Sequence, residues 1–121
     1  MTMAGSKNVV QDKSFSFAVR IVKLYKYLIT EHREYVLSKQ LLRSGTAVGA
    51  LIREAEQAES KADFIHKMAI SLKEANESAY WLELLKETEY LETKAYESIK
   101  ADNIELLKLL TSIIRTSKES A

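Results

Sequence analysis

Apolar residues recur along this chain at helical spacing, in four blocks parted by short polar breaks. The most informative block is Leu41–Ala58. At 100° per residue, Leu41, Ser44, Gly45, Val48, Leu51, Ile52 and Ala55 fall on one face of a helix. Gly45 and Gly49 sit four apart at one edge of that face. A glycine costs about 1 kcal/mol relative to alanine inside a helix, and a missing side chain lets two backbones come together. The pair therefore predicts close approach of a neighbouring helix. On the opposite face Arg43, Ala47, Ala50 and Glu54 line up, with two alanines where a solvated helix usually carries Lys or Glu. That arrangement predicts a second contact surface.

The other blocks read as helices laid against this one. Phe17, Ala18, Ile21, Leu24, Tyr25 and Leu28 form the core side of a first helix over residues 15–32, with Ser14 as its cap. Arg20, Lys23 and Tyr27 lie on its other side. The pattern breaks at His32–Leu37, and Ser38 is placed to cap the second helix, which runs to residues 57–59. Ser60 and Asp63 have the spacing of a capping box and open a third helix over 61–90. Its inner stripe is Phe64, Met68, Leu72, Ala75, Ala79 and Leu82. A second stripe, Ile70, Glu74, Glu77, Trp81 and Leu84, falls within about 80° on a different side of the wheel, so the single Trp is expected to point away from the core. Bulky apolar residues beside carboxylates on an outer face predict an interface.

Thr93 is the expected cap of a fourth helix over 94–117, with Tyr96, Ile99, Asn103, Leu106, Leu107, Leu110, Ile113 and Ile114 facing inward. Asn103 is the one polar residue of that stripe and is placed to fix helix register. Residues 1–13 show no amphipathic pattern and are expected to form a flexible arm. Residues 14–118 make one domain, and the tail from Ser117 is expected to fray. Four amphipathic helices with short connections predict an all-α, antiparallel up-down-up-down four-helix bundle.

Composition narrows the picture. The 121 residues hold 46% hydrophobic and 29% charged side chains, values of a folded domain with a real core. Proline is absent, so nothing enforces a break inside the long periodic segments. Cysteine is absent too, which excludes disulfides and thiolate metal sites and suits a reducing cytoplasm. Charged residues interrupt every apolar run well before membrane-spanning length, and no secretory signal is visible, so a cytoplasmic protein is expected. The net charge of +1 hides an asymmetry. Residues 1–43 carry eight Lys/Arg against three Asp/Glu, and residues 44–121 carry ten against fourteen. The basic part either meets a polyanion or faces the acidic part within one fold or oligomer.

Candidate chemistry is sparse. A di-iron bundle needs a Glu from each of two helices and Glu-x-x-His on each of the other two. Here Asp63 and His66 make a single acid-x-x-His pair, His66 lies opposite Phe64, and His32 has Ile29 three residues before it. No nucleophile–base set and no phosphate-cradling loop occurs; Gly45-x-x-x-Gly49 lies inside a helix and lacks the Lys-Ser/Thr that follows such a loop. Glu54 and Glu56 point about 160° apart, and Glu56, near the core edge, reads as a structural ion-pair partner. The expectation is a non-enzymatic protein with no cofactor and no metal.

The run Leu42–Leu85 carries a set of specific motifs: Arg43-Ser44-Gly45-Thr46, Gly49-Ala50, Ile52-Arg53-Glu54-Ala55, Ser60-Lys61-Ala62-Asp63-Phe64, Glu74-Ala75-Asn76-Glu77 and Tyr80-Trp81-Leu82-Glu83-Leu84-Leu85. In these it resembles the small bacterial four-helix-bundle proteins encoded within intervening sequences of 23S ribosomal RNA genes. The accessory protein of diversity-generating retroelements is similar in fold. The resemblance implies a left-handed four-helix bundle assembled as a ring-shaped homopentamer, with a genomic link to RNA and no established enzymatic activity. The chain departs from the pattern at Leu51, where many relatives carry Asn, and at Ala55, where others carry Gly. Its near-neutral charge also departs from the strongly basic retroelement protein.

Two expectations follow. The oligomer interface is assigned to Arg43, Ala47, Ala50, Glu54, Ile70, Glu74, Glu77, Trp81 and Leu84. RNA, if it is a partner, is assigned to the basic positions Arg20, Lys23, Lys26, Arg33 and Lys39. The alternative is a protein-interaction adaptor with no RNA contact.

Overall fold

The computed structural model describes residues 4–120, with side chains described from residue 9. Four helices follow one another: α1 (Ala4–Glu31), α2 (Leu37–Ala55), α3 (Lys61–Glu87) and α4 (Thr93–Glu119). They form an all-α four-helix bundle in which each helix packs on its two neighbours, α1 on α2 and α4, α3 on α2 and α4. Cross-helix partners give the direction. Along α2 and α3, Ser44 meets Ser78, Val48 meets Ser71 and Glu54 meets Lys67, so one number falls as the other rises. Arg20–Asp102 and Lys13–Glu105 show the same antiparallel order between α1 and α4. The core runs along the axis through Phe17, Ile21, Leu28, Leu41, Ile52, Met68, Leu82, Leu106 and Leu110, all essentially inaccessible.

The two glycines do what their spacing predicts, and the neighbour is α1. A Cβ on Gly45 would stand 2.8 Å from Cγ1 of Ile21, and one on Gly49 would stand 3.3 Å from Oγ of Ser14. On its other side α2 meets α3 through small hydroxyl side chains. Ser44, Ser71 and Ser78 are fully buried. Ser71 donates to the Val48 carbonyl at 2.9 Å, Ser78 donates to Glu74 carbonyl at 2.9 Å, and Ser44 Oγ lies 2.9 Å from Ser78 Oγ. Ser44 Oγ also has the Leu41 carbonyl as an acceptor at 3.4 Å, so either hydroxyl can donate within the pair. Asn103 of α4 donates from Nδ2 to the Ala75 carbonyl of α3 at 3.0 Å, a cross-helix bond at the level its stripe implied.

Several expected boundaries are corrected. The arm expected over residues 1–13 is helical from Ala4, and residues 1–3 lie outside the described residues. Val10 is fully buried, so this turn is held by packing that no periodic stripe announced. Ser14 is therefore no cap: it is buried within α1 and donates to the Gln11 carbonyl at 3.0 Å. Nor does Ser38 cap α2. Glu34 does so instead, its carboxylate accepting from the backbone N–H groups of Val36 (3.1 Å), Leu37 (2.9 Å) and Ser38 (2.7 Å). A side-chain acceptor satisfying the orphan donors of a first turn is what a cap supplies, but here it reaches from outside the usual cap position. The Ser60 cap of α3 forms, with Asp63 N–H donating to Ser60 Oγ at 3.0 Å; the returning bond of the expected capping box is shifted by one residue, the Asp63 carboxylate accepting from Glu59 N–H at 3.3 Å. At α4, Glu92 rather than Thr93 holds the cap position, without a side-chain cap bond. The helix extends to Glu119, beyond the expected fraying point, and Ala121 lies outside the described residues.

α3 ends at Glu87, three residues before the expected end. Glu89 takes a left-handed conformation (φ 69°), Tyr90 N–H donates to the Leu85 carbonyl at 2.9 Å and Glu89 N–H to the Lys86 carbonyl at 3.1 Å. This pair of bonds is the Schellman closure, normally built on glycine. Leu72, placed in the inner stripe, is only half-buried at the core margin. No helix among the described residues is long and apolar enough to cross a membrane.

Candidate functional site

The outer seam of α2 and α3 draws together much of the residue set assigned to self-association. Arg43 of α2 places Nη2 3.6 Å from Oε2 of Glu77 on α3. The same Glu77 oxygen accepts from the Trp81 indole N–H at 3.0 Å. Further along, Lys67 Nζ of α3 lies 3.2 Å from Oε1 of Glu54 on α2. Ile70, Glu74, Leu84 and Ala47 are half-buried along this seam; Ala50 is exposed and lies on the α1 side of α2. The expectation that Trp81 turns away from the core is corrected: its ring is half-buried and packs against the core cluster, with an edge left to the surface. Tyr80 stands beside it, exposed, with ring centroids 5.0 Å apart in an edge-to-face pair. Glu74 keeps Oε1 enclosed and without a hydrogen-bond partner.

On the α1 side of α2 lies a patch the sequence reading missed. Phe15 is more than half exposed, the Arg53 guanidinium lies 5.4 Å from its ring centroid, and a shallow groove of about 250 Å³ runs between Phe15, Ala18, Thr46, Gly49 and Ala50. Phe15 sits two positions from the core residue Phe17 and so faces away from it; that spacing was the available signal.

The basic set is not one surface. Arg20 is engaged with α4: Nη1 is 2.7 Å from Oδ2 of Asp102 and 3.3 Å from the Ser98 carbonyl, and Nη2 is 3.1 Å from Ser98 Oγ. With Lys13–Glu105 at 3.1 Å, the basic side of α1 is turned toward acidic positions of α4. Lys23, Lys26, Arg33 and Lys39 are exposed. Lys26, Arg33 and Lys39 gather near one end of the bundle, where α1 passes through a short loop into α2.

That loop is tightly built. Arg33 takes a left-handed conformation (φ 52°), and Glu34 N–H reaches the Leu28 carbonyl at 3.1 Å. Ser38 Oγ donates to the Glu34 carbonyl at 2.6 Å. Burial opposes the charge on Glu34, but the N–H groups of Leu37, Ser38 and Val36 together outweigh it and hold the carboxyl below the usual carboxylate range. Tyr35 and Val36 are left pointing outward. Beside the loop, His32 stacks edge-on against Tyr27 and, across to the α3–α4 turn, against Tyr90, at 5.2 and 5.6 Å. A cleft of about 350 Å³ opens there between Tyr27, His32, Lys86, Glu89 and Glu92. Among the described residues no group of three His, Cys, Asp or Glu side chains is placed to hold a metal ion.

Comparison with known proteins gives the lineage. A solved structure from Bacteroides thetaiotaomicron VPI-5482, described as a protein of unknown function from the S23 ribosomal protein family, is 64% identical. The match covers 91% of this chain and 98% of that one, with a TM-score of 0.90. No curated protein matches this chain. Residues 6–112 match the family described as 23S rRNA-intervening sequence protein. A match over most of the chain, with the fold of the similar structure reproduced throughout, places the protein: it belongs to the 23S rRNA-intervening sequence protein family.

Proposed function

We propose that the protein is a non-enzymatic scaffold that self-associates through the outer seam of α2 and α3. The observation that carries this reading is the Arg43–Glu77–Trp81 relay, which fixes the half-buried ring of the one tryptophan at the seam beside exposed Tyr80. A rigid aromatic at a surface seam, rimmed by paired charges, has the composition of an interface centre rather than of solvated surface. Ala47 leaves the α2 side of the seam low, so a second copy can come close. The family resemblance favours five copies in a ring.

Light scattering on the full chain tests this. Wild type is expected to be oligomeric at micromolar concentration, and Trp81→Ala is expected to lower the oligomer mass while helix content persists. Because Trp81 also touches the core, Arg43→Glu serves as a second variant: Arg43 is largely exposed, and its reversal sets like charges beside Glu77. A monomeric wild type overturns the reading and leaves the adaptor alternative.

The second reading is contact with ribosomal RNA. Its supports are the family's description and the exposed cations Lys23, Lys26, Arg33 and Lys39. With Arg20 paired to Asp102, an Arg20→Glu variant reports on the α1–α4 seam as much as on RNA. Lys26→Glu with Lys39→Glu is the cleaner test, and affinity for RNA should fall steeply with added salt. Binding that the double variant leaves unchanged counts against this reading.

A further inference from the structure

We propose that the α1–α2 loop is a stacking platform for unpaired RNA bases, with Tyr35 as the stacking ring and Arg33 and Lys39 as its phosphate contacts. The proposal rests on the RNA reading above and adds where the contact lies and which form of RNA it takes. Tyr35 and Val36 are 59% and 69% exposed, the two most exposed large apolar side chains among the described residues. Their exposure does not come from slack in the chain. The loop is closed by the Glu34 carboxylate on three backbone N–H groups, by Ser38 on the Glu34 carbonyl and by Glu34 N–H on the Leu28 carbonyl. A ring held outward by a rigid loop loses little further freedom when a base stacks on it.

The same cage settles the local charge. Glu34 is the one acid between His32 and Lys39, and its carboxylate is turned inward and consumed. Arg33 and Lys39, which flank Tyr35 in the sequence, are exposed, as is Lys26 near the end of α1. An exposed aromatic between cations is the minimal apparatus for single-stranded nucleic acid, in which every base has a face to stack and every phosphate a charge to meet. Duplex RNA asks instead for a basic surface spread along its phosphates. The basic side of α1, the nearest source of one, is turned to α4 through Lys13–Glu105 and Arg20–Asp102. Beyond His32 the neighbouring cleft is lined by Glu89 and Glu92 together with Lys86.

Fluorescence anisotropy with labelled single strands of about 12 nucleotides, poly-U and poly-A in sequence, and with the corresponding A–U duplex tests the proposal. Expected at low salt is tighter binding of the single strands than of the duplex. Tyr35→Ala should weaken single-strand binding by about 5- to 100-fold, while Tyr35→Phe retains it, and Arg33→Glu with Lys39→Glu should weaken it and flatten its salt dependence. Tyr35 makes no part of the core, so circular dichroism and light scattering on Tyr35→Ala should match wild type. Tyr35→Ala binding as tightly as wild type, or the duplex binding as tightly as the strands, removes the platform while leaving RNA contact in place. Absence of binding to any of the three RNAs removes both.

Discussion

Gly45 and Ile21 are so close that a single added carbon at position 45 would lie 2.8 Å from Cγ1 and 2.9 Å from Cγ2 of the isoleucine. Ile21 is fully buried and β-branched, so neither methyl-bearing branch can swing aside freely. The contact sets the spacing of α1 on α2, and through it the depth at which the whole first helix enters the core.

Gly45→Ala should therefore destabilise the protein despite alanine's better helix propensity. Overpacking a close-packed core costs about 1–3 kcal/mol, against a gain of about 1 kcal/mol from propensity. Gly49→Ala meets Ser14 at 3.3–3.4 Å, a contact that needs only a slight shift, and should be closer to neutral. Ile21→Ala removes the obstructing atoms, so urea unfolding of the Gly45→Ala/Ile21→Ala pair should show less loss than the two single losses added together.

Glu34→Gln should lower stability at neutral pH by about 1.5–3 kcal/mol, the range for hydrogen bonds to a charged group. The folded-state pKa of Glu34 is depressed, so its contribution is fully present above the unfolded-state value of about 4.3 and is lost as pH falls through the folded value. Thermal melts of the two proteins should accordingly converge on acidification below about pH 4, and remain apart above it.

Glu89→Gly is expected to stabilise. A non-glycine residue at φ 69° in the Schellman position bears a backbone cost that glycine avoids. The gain should be on the order of 1 kcal/mol, read as a raised melting temperature with unchanged helix content.

Leu110→Ala should cost about 2–5 kcal/mol, as for a fully buried leucine. Leu72 shares the inner stripe of α3 but is only partly buried at the core margin, and its truncation should cost clearly less. Denaturant titrations of both variants measure the difference directly.

How far the sequence could be read depended on which signals are local. Periodicity located all four helices because burial of one face repeats every turn along the chain itself. Gly45 and Gly49 announced a close neighbour because their helix-propensity cost is a property of the residue. Ser60 and Asp63 announced the start of α3 because a capping box closes within four residues. Glu34 gave no such notice: its capping role depends on a loop conformation that brings its carboxylate back onto three N–H groups. The end of α3 was hidden for a similar reason, since its left-handed residue is Glu89 and not glycine.

The sequence by itself determined the class of the fold, its helix order and its small-residue contact face, because these follow from patterns within one helix. It also identified Asn103 as the inward polar side chain. Only the tertiary structure decided which neighbour each face meets: α1 against the glycines, α3 against α2 through Ser44, Ser71 and Ser78, and Ala75 as the acceptor of Asn103. It decided the fate of the charges too. Arg20 and Lys26 look alike in a basic stretch, but Arg20 faces Asp102 and Lys26 faces solvent. The physical reason is that an electrostatic partner is chosen by distance in space, whereas a hydrophobic period is written along the chain.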